Sequence, residues 1–137
     1  MLDERGKNSG SYTKEELLSE ISILLGGRAA ELICYGEEDG LTTGPSSDLR
    51  RATDLAEMLI CDYSMDNEMG MGVINKAAAS GEIQLKIRER VNEILNQSLK
   101  ATIETIKGKM DIFEKMVNQL VSKNHLTADD IKAIFNS

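Results

Sequence analysis

The residue with the clearest potential for chemistry is Asp48, a carboxylate in the first turn of a predicted helix. It precedes Ala52 by four residues and Leu55 by seven, a spacing that places it on the face the helix buries. A first-turn aspartate usually only offsets the helix dipole, and this simpler interpretation stays open here. However, a carboxylate directed inward needs a cation, a metal or several donors, because burying it alone is costly.

Other residues that could do chemistry are few. The single histidine, His125, rules out a two-histidine metal site and lies in a predicted turn, where we interpret it as solvated. Cys34 and Cys61 have apolar neighbours and no histidine nearby in sequence, so we predict inert, buried thiols. No GxxxxGK(S/T), GxGxxG, CxxC or HExxH motif occurs. The sequence therefore holds neither a nucleotide-binding motif nor a complete zinc site, and we assign no catalytic residue.

The composition limits the possible fold classes and the possible binding partners. The 137 residues include 41% hydrophobic but only 4% aromatic residues, a mixture that packs helices better than sheets. The net charge of −7 repels phosphate backbones and anionic lipid, so we predict no nucleic-acid partner. No apolar run approaches the ~18 residues of a membrane-spanning helix, so we expect no membrane insertion by this chain. Two cysteines indicate a reducing compartment, and we predict a cytoplasmic location.

Hydrophobic spacing predicts an all-α, antiparallel bundle of about five helices with a loop-rich middle segment. Residues 1–11 are interpreted as a flexible lead-in and residues 12–137 as a single helical domain. We expect the second helix to begin between Gly44 and Ser47, with Pro45 in its first turn and serines as caps. The remaining helices are expected from Glu82, after Gly108 and after a cap at Thr127.

The first predicted helix contains an unusual pair of glycines. It begins at a capping box formed by Thr13 and Glu16 and should end near Tyr35, before Gly36. Gly26-Gly27 lies inside it, and each glycine costs ~1 kcal/mol relative to alanine in a helix interior. We therefore predict the close approach of another helix's backbone, with contact to a ligand as the alternative.

Three blocks of sequence carry a family resemblance. They are TKEELL at residues 13–18, LLGGRAAEL at residues 24–32 and TGPSSDLRRAT at residues 43–53. In order, spacing and residue type they resemble the peptidase domain of the FtsH family, which comprises membrane-anchored, hexameric, ATP-dependent zinc proteases. The likeness is dense from Tyr12 to about Gly72 and continues as a hydrophobic pattern through the later helices.

The resemblance implies a role for Asp48. In the family, two histidines of HExxH bind zinc, the glutamate between them activates water, and an aspartate in a TGxSxDL-type block is the third protein ligand. Asp48 stands at that aspartate's position, so the resemblance implies a zinc ligand in an incomplete site. It also implies that the helix bearing Gly26-Gly27 packs close to the HExxH helix. Residues 12–72 would form an active-site wall, and residues 82–137 a C-terminal helical part.

The departures from the family pattern leave two hypotheses. HExxH, the ATPase module and the membrane anchor are absent from this sequence, and Pro45 stands where the family commonly has alanine. We therefore expect the chain alone to be inactive and free of bound zinc. It is either the C-terminal portion of the peptidase domain of an FtsH-like metalloendopeptidase that degrades membrane and unfolded proteins, or a stand-alone, non-catalytic interaction module derived from that domain.

The first hypothesis also predicts the cofactors and partners. Zinc would belong to the complete domain and ATP to the upstream module. Partners would be protein substrates and sister subunits of a hexamer, in a parent protein anchored in the membrane with this domain on the cytoplasmic side. Self-association through an exposed apolar patch is a further expectation, because the helix that would cover that patch is missing.

Overall fold

A computed structural model describes residues 11–39, 41–69 and 72–136, and all regular structure within them is helical. The predicted all-α class is confirmed. The lead-in at residues 1–10 lies outside the described part of the chain. The described elements are α1 (Lys14–Leu24), α2 (Gly26–Asp39), α3 (Ser46–Cys61), a 3-10 turn (Lys76–Ala78), α4 (Gly81–Lys107), α5 (Met110–Lys123) and α6 (Ala128–Phe135).

The first predicted helix is in fact two helices, which raises the number in the described residues from five to six. Leu25 is the C-cap of α1, with φ −83° and ψ −6°, and α2 begins at Gly26. A break is tolerated here because consecutive glycines have little preference for remaining helical. Gly36 interrupts α2 at φ +81°, the left-handed region expected from the sequence.

Capping boxes fix the start of the first and the last helix. Thr13 Oγ1 accepts from the backbone N–H of Glu16 at 3.0 Å, and the Glu16 carboxylate accepts from the backbone N–H of Thr13 at 3.0 Å. Thr127 and Asp130 form the same reciprocal pair at the start of α6. Each pair satisfies two backbone donors that a helix start leaves without partners, as predicted for Thr13 and Glu16.

The core consists of two apolar clusters connected by α4. The first joins α1, α3, the first half of α4 and Ala128 at the start of α6, and its buried centre includes Ile21, Leu59 and Ile87. The second joins α2, α5, α6 and the end of α4, and includes Met116 and Leu126. Alanines in α2 and α3 are completely buried, so the backbones of these helices can approach their neighbours closely.

A buried ion pair attaches the segment between α3 and α4 to the helices. Asp66 is 1% exposed, and its Oδ1 accepts from Nε of Arg90 in α4 at 2.8 Å. Its Oδ2 accepts from the backbone N–H of Met69 at 3.1 Å. These bonds offset the cost of burying the carboxylate. Among the described helices, none is long and apolar enough to cross a membrane.

Candidate functional site

Asp48 lies in the first turn of α3, half-buried, and its side chain faces the start of α6. Its Oδ2 accepts from the backbone N–H of Ala128 at 2.8 Å, across 80 residues of sequence. In the described part of the chain, no hydrogen bond reaches its other oxygen, Oδ1. The carboxylate therefore points inward, as its spacing predicts, with one oxygen held by a backbone donor and the other available to a ligand.

The helix α3 begins at Ser46, within the predicted range, but its capping differs from the prediction. Pro45 is the N-cap rather than a first-turn residue, and no side chain caps the helix. Ser46 does not cap either, because its hydroxyl donates to the carbonyl oxygen of Thr43 at 2.6 Å. Since Asp48 is the third helical residue, its charge also interacts favourably with the helix dipole. Asp48 can therefore offset the helix dipole and also point inward.

A buried glutamate holds the loop that leads to Asp48. Glu31 in α2 is only 1% exposed, and its carboxylate accepts from both the hydroxyl and the backbone N–H of Thr42. Arg28, one turn earlier in α2, places Nε 3.7 Å from Oε1 of Glu31 and donates to the carbonyl oxygen of Thr42 at 3.1 Å. The segment before α3 is therefore attached to α2 through Thr42.

Two glycines bring the turn before α6, residues 124–127, close to this loop. A Cβ at Gly27 would lie 2.3 Å from the backbone oxygen of Leu126, and a Cβ at Gly44 would lie 2.5 Å from Cβ of His125. A backbone does approach Gly27 closely, but it belongs to a turn, so the prediction that another helix's backbone packs there is wrong in this respect. At Gly26 the neighbour is the side chain of Ile131 in α6, 2.7 Å from an added Cβ. Contact with an HExxH helix stays a prediction.

The turn itself is firmly held. Asn124 ends α5 in the left-handed region at φ +69°, which redirects the chain toward α6. Lys123 Nζ donates to Oδ1 of Asp130 at 2.7 Å, and the backbone N–H of Thr127 donates to Oδ2 at 3.0 Å. Burial by itself would raise the pKa of Asp130, but these hydrogen bonds outweigh it and lower the pKa. The ionised carboxylate thus holds the first residues of α6 in place.

The histidine and the cysteines do not extend the site. His125 is half-buried against Gly44, so it is less solvated than the sequence predicts. Cys61 is buried and Cys34 half-buried, and both are free thiols. Burial raises the pKa of both thiols. The negative charges of Asp62 and Glu57 raise the pKa of Cys61 further. A raised pKa keeps a thiol protonated at neutral pH, which agrees with the predicted inert role.

The described residues do not form a complete metal site around Asp48. Among them, no group of three or more histidine, cysteine, aspartate or glutamate side chains could hold a metal ion together. Asp48 fits the role of a single ligand, because an ionised carboxylate with a free oxygen is a usual zinc donor. The chemistry of a complete site would need further ligands.

Sequence reasoning missed Glu31, Asp66 and the α6 partner of Asp48. Glu31 was detectable, since it follows Leu24 by seven residues and Gly27 by four and so shares their buried face. Asp66 lies in an irregular segment, where no periodicity indicates burial. The donor at Ala128 is a backbone N–H, which every residue except proline carries, so the residue type does not reveal it.

Comparisons with known proteins agree on one family. The family model of Peptidase family M41 matches residues 4–134. The chain is 33% identical over 124 residues to the ATP-dependent zinc metalloprotease FTSH 11, chloroplastic/mitochondrial, of Arabidopsis thaliana, covering 90% of this chain and 15% of that protein. It is 32% identical over 148 residues to the ATP-dependent zinc metalloprotease FtsH of Helicobacter felis, covering 98% of this chain and 23% of that protein. The corresponding protein of Magnetococcus marinus is 30% identical over 135 residues, covering 88% of this chain and 20% of that protein. The chain therefore spans less than a quarter of the length of these relatives.

Proposed function

Because the chain belongs to peptidase family M41, we propose that it is the C-terminal portion of the peptidase domain of an FtsH-like ATP-dependent zinc metalloendopeptidase. The family match over residues 4–134 is the observation that carries this proposal. In this role, residues 12–72 form one wall of the active site and residues 82–137 form the C-terminal helical part. The match across nearly the whole chain does not favour the alternative, a stand-alone interaction module.

The proposed task of Asp48 is to supply the third protein ligand of the zinc. This role is supported by its half-buried position, by its inward direction and by its Oδ1, to which no described residue donates a hydrogen bond. When bound by three protein ligands, zinc offers an open position and a water molecule whose pKa falls to near neutrality. Asp48 contributes a fixed negative charge and a fixed oxygen. The other two ligands and the general base would come from an HExxH segment outside this sequence.

The wider activity is proposed for the parent protein rather than for this chain. The relatives are named as ATP-dependent and zinc-dependent proteases, which supports zinc and ATP as cofactors of the complete protein. We propose membrane and unfolded proteins as its substrates, sister subunits as its partners and a membrane anchor that keeps this domain on the cytoplasmic side. Self-association of the isolated chain stays a prediction, which light scattering across a concentration series would test.

The first test reads the coding sequence upstream of Met1. We expect an in-frame HExxH motif that is itself preceded by a Walker A motif. A start codon with neither motif upstream would contradict the proposal and would favour the interaction module.

The second test measures metal in the protein that carries this HExxH segment. We expect about one zinc per subunit in the wild type and loss of most of it in Asp48→Asn, since the amide is a much poorer zinc ligand than the carboxylate. Asp54→Asn is the matched control, because Asp54 lies in the same helix and is exposed. Full zinc occupancy in Asp48→Asn would show that Asp48 is not a ligand. Purified alone, the 137-residue chain should contain no stoichiometric zinc.

A further inference from the structure

We propose that the start of α6 positions Asp48 for metal binding, with the backbone N–H of Ala128 as the positioning group. This inference rests on the proposed function, since it assigns a task to a contact beside the proposed ligand. The contact itself is the hydrogen bond of 2.8 Å from this N–H to Oδ2 of Asp48. It occupies one carboxylate oxygen and leaves Oδ1 for the metal.

The N–H of Ala128 is a suitable positioning group because nothing else in α6 uses it. Ala128 is the first residue of α6, and a helix provides no internal partner for its first N–H groups. The residue is also 94% buried, so water does not compete strongly for this donor. A donor without an internal partner, directed at a half-buried carboxylate, fixes the direction of that carboxylate at little cost to the helix.

Contacts on several sides fix where this donor lies. The backbone oxygen of Leu126 is placed against Gly27, and the side chain of His125 is placed against Gly44. The capping box of Thr127 and Asp130 and the ion pair from Lys123 fix the first turn of α6. Gly27 lies in the block at residues 24–32 and Gly44 in the block at residues 43–53, which also contains Asp48. Two blocks that resemble the family therefore also position the distant partner of Asp48.

A fixed carboxylate binds a metal more tightly than a mobile one because its rotamer does not have to be selected on binding. Groups that orient metal ligands typically contribute about 10- to 100-fold in metal affinity. We therefore expect the α6 contact to act on zinc affinity and on ligand geometry, beyond any effect on stability.

The test removes the N–H while keeping the helix. Ala128→Pro suits this purpose, since proline is favoured at the first helical position and Thr127 already has the extended backbone that precedes proline, with φ −91° and ψ 170°. Gly81→Pro is the matched control. It changes the first position of α4, where an added side chain meets nothing within 4 Å.

Thr127→Ala tests whether loosening α6 is enough to explain the effect. This variant removes the capping hydroxyl but keeps the N–H of Ala128. If Ala128→Pro does not fold, as judged by circular dichroism, an amide-to-ester substitution at Ala128 removes the same N–H without adding volume.

The measurements are zinc affinity and the visible absorption of the cobalt-substituted protein, both made on the protein that carries the HExxH segment. We expect Ala128→Pro to weaken zinc binding about 10- to 100-fold and to change the cobalt spectrum. Gly81→Pro should stay within about threefold of wild type and keep its spectrum, because it leaves α6 unchanged. Thr127→Ala should weaken zinc binding clearly less than Ala128→Pro does, because it loosens the start of α6 but retains the donor. In the 137-residue chain, Asp48→Asn should shift the NMR signal of the Ala128 N–H.

The outcomes separate this inference from the proposed function. If Asp48→Asn loses zinc while Ala128→Pro behaves like Gly81→Pro, the positioning role is wrong and the ligand assignment stands. If Thr127→Ala weakens binding as much as Ala128→Pro, the effect is a general loosening of α6, which also overturns the positioning role. If Asp48→Asn keeps its zinc, the ligand assignment fails and this inference fails with it.

Discussion

At the scale of single residues, three buried or half-buried carboxylates accept hydrogen bonds from backbone N–H groups that have no partner inside a helix. Glu31 accepts from the N–H of Thr42, Asp48 from that of Ala128, and Asp66 from that of Met69. A carboxylate can accept several hydrogen bonds at once, so it can satisfy the backbone of a segment that has no helix or sheet partners. The chain has 23 acidic residues, and these three stabilise the structure by accepting backbone hydrogen bonds, whereas a fully solvated carboxylate bonds mainly to water.

The buried Glu31 gives the sharpest stability prediction at this scale. Glu31→Gln keeps the shape but replaces one acceptor oxygen with an amide donor, which then faces donors on Thr42 or Arg28. We expect a loss of about 2–3 kcal/mol in the free energy of unfolding, because a buried polar group loses its partner. Urea denaturation of the 137-residue chain measures this loss. Glu89→Gln, in an exposed position of α4, is the control and should change stability by less than about 0.5 kcal/mol.

At the scale of elements, the glycine pair at the start of α2 makes room for the turn before α6. A Cβ at Gly27 would lie 2.3 Å from the backbone oxygen of Leu126, and backbone cannot rotate away as a side chain can. Gly27→Ala should therefore lower the free energy of unfolding by about 2 kcal/mol or more, through overpacking. Thermal denaturation followed by circular dichroism measures the effect.

Gly81→Ala provides the matched control for this prediction. Gly81 begins α4, and an added Cβ there meets nothing within 4 Å. This change should raise stability by about 0.4–1 kcal/mol, because alanine restricts the unfolded chain and favours the helix. If Gly27→Ala also raised stability, the close approach of the turn would be refuted.

The helices were largely predictable because their apolar faces are periodic and several of their ends carry local signals. Thr13, Gly108 and Thr127 mark helix ends in the sequence, and the structure has helix ends at these positions. The break at Leu25 was not predictable, since the apolar period continues across it and two glycines add a cost of only ~2 kcal/mol. Helix ends set by tertiary packing leave no comparable local signal.

The candidate site was predictable only in part. The spacing of Asp48 from Ala52 and Leu55 is a local property, and it gave the correct inward direction. The partner at Ala128 lies 80 residues away and donates through its backbone, so its identity as alanine says nothing about the contact. Local patterns thus predict which face a side chain occupies, while its partner depends on how the helices pack.

At the scale of the whole molecule, α4 connects the two apolar clusters into one body. Its first half contributes Ile87 to the first cluster, and its end contributes Ile106 to the second. Ile23 and Leu99 pack against both clusters. Because neither cluster can lose its packing without exposing these shared side chains, we propose that residues 12–137 unfold as one cooperative domain.

This cooperativity predicts that a destabilising substitution in one cluster lowers the hydrogen-exchange protection of both. Leu59 is completely buried in the first cluster, and Leu59→Ala should cost about 2–5 kcal/mol through the cavity that it leaves. We expect native-state hydrogen exchange to show the same loss of protection at the slowest amides of α3 and of α5, including that of Met116. Leu85→Ala makes the same change at a leucine that is 54% exposed, and it should leave both helices near their wild-type protection. If the α5 amides kept full protection in Leu59→Ala, the two clusters would unfold independently. The helix α4 would then connect two separate folding units and would not unite them into one.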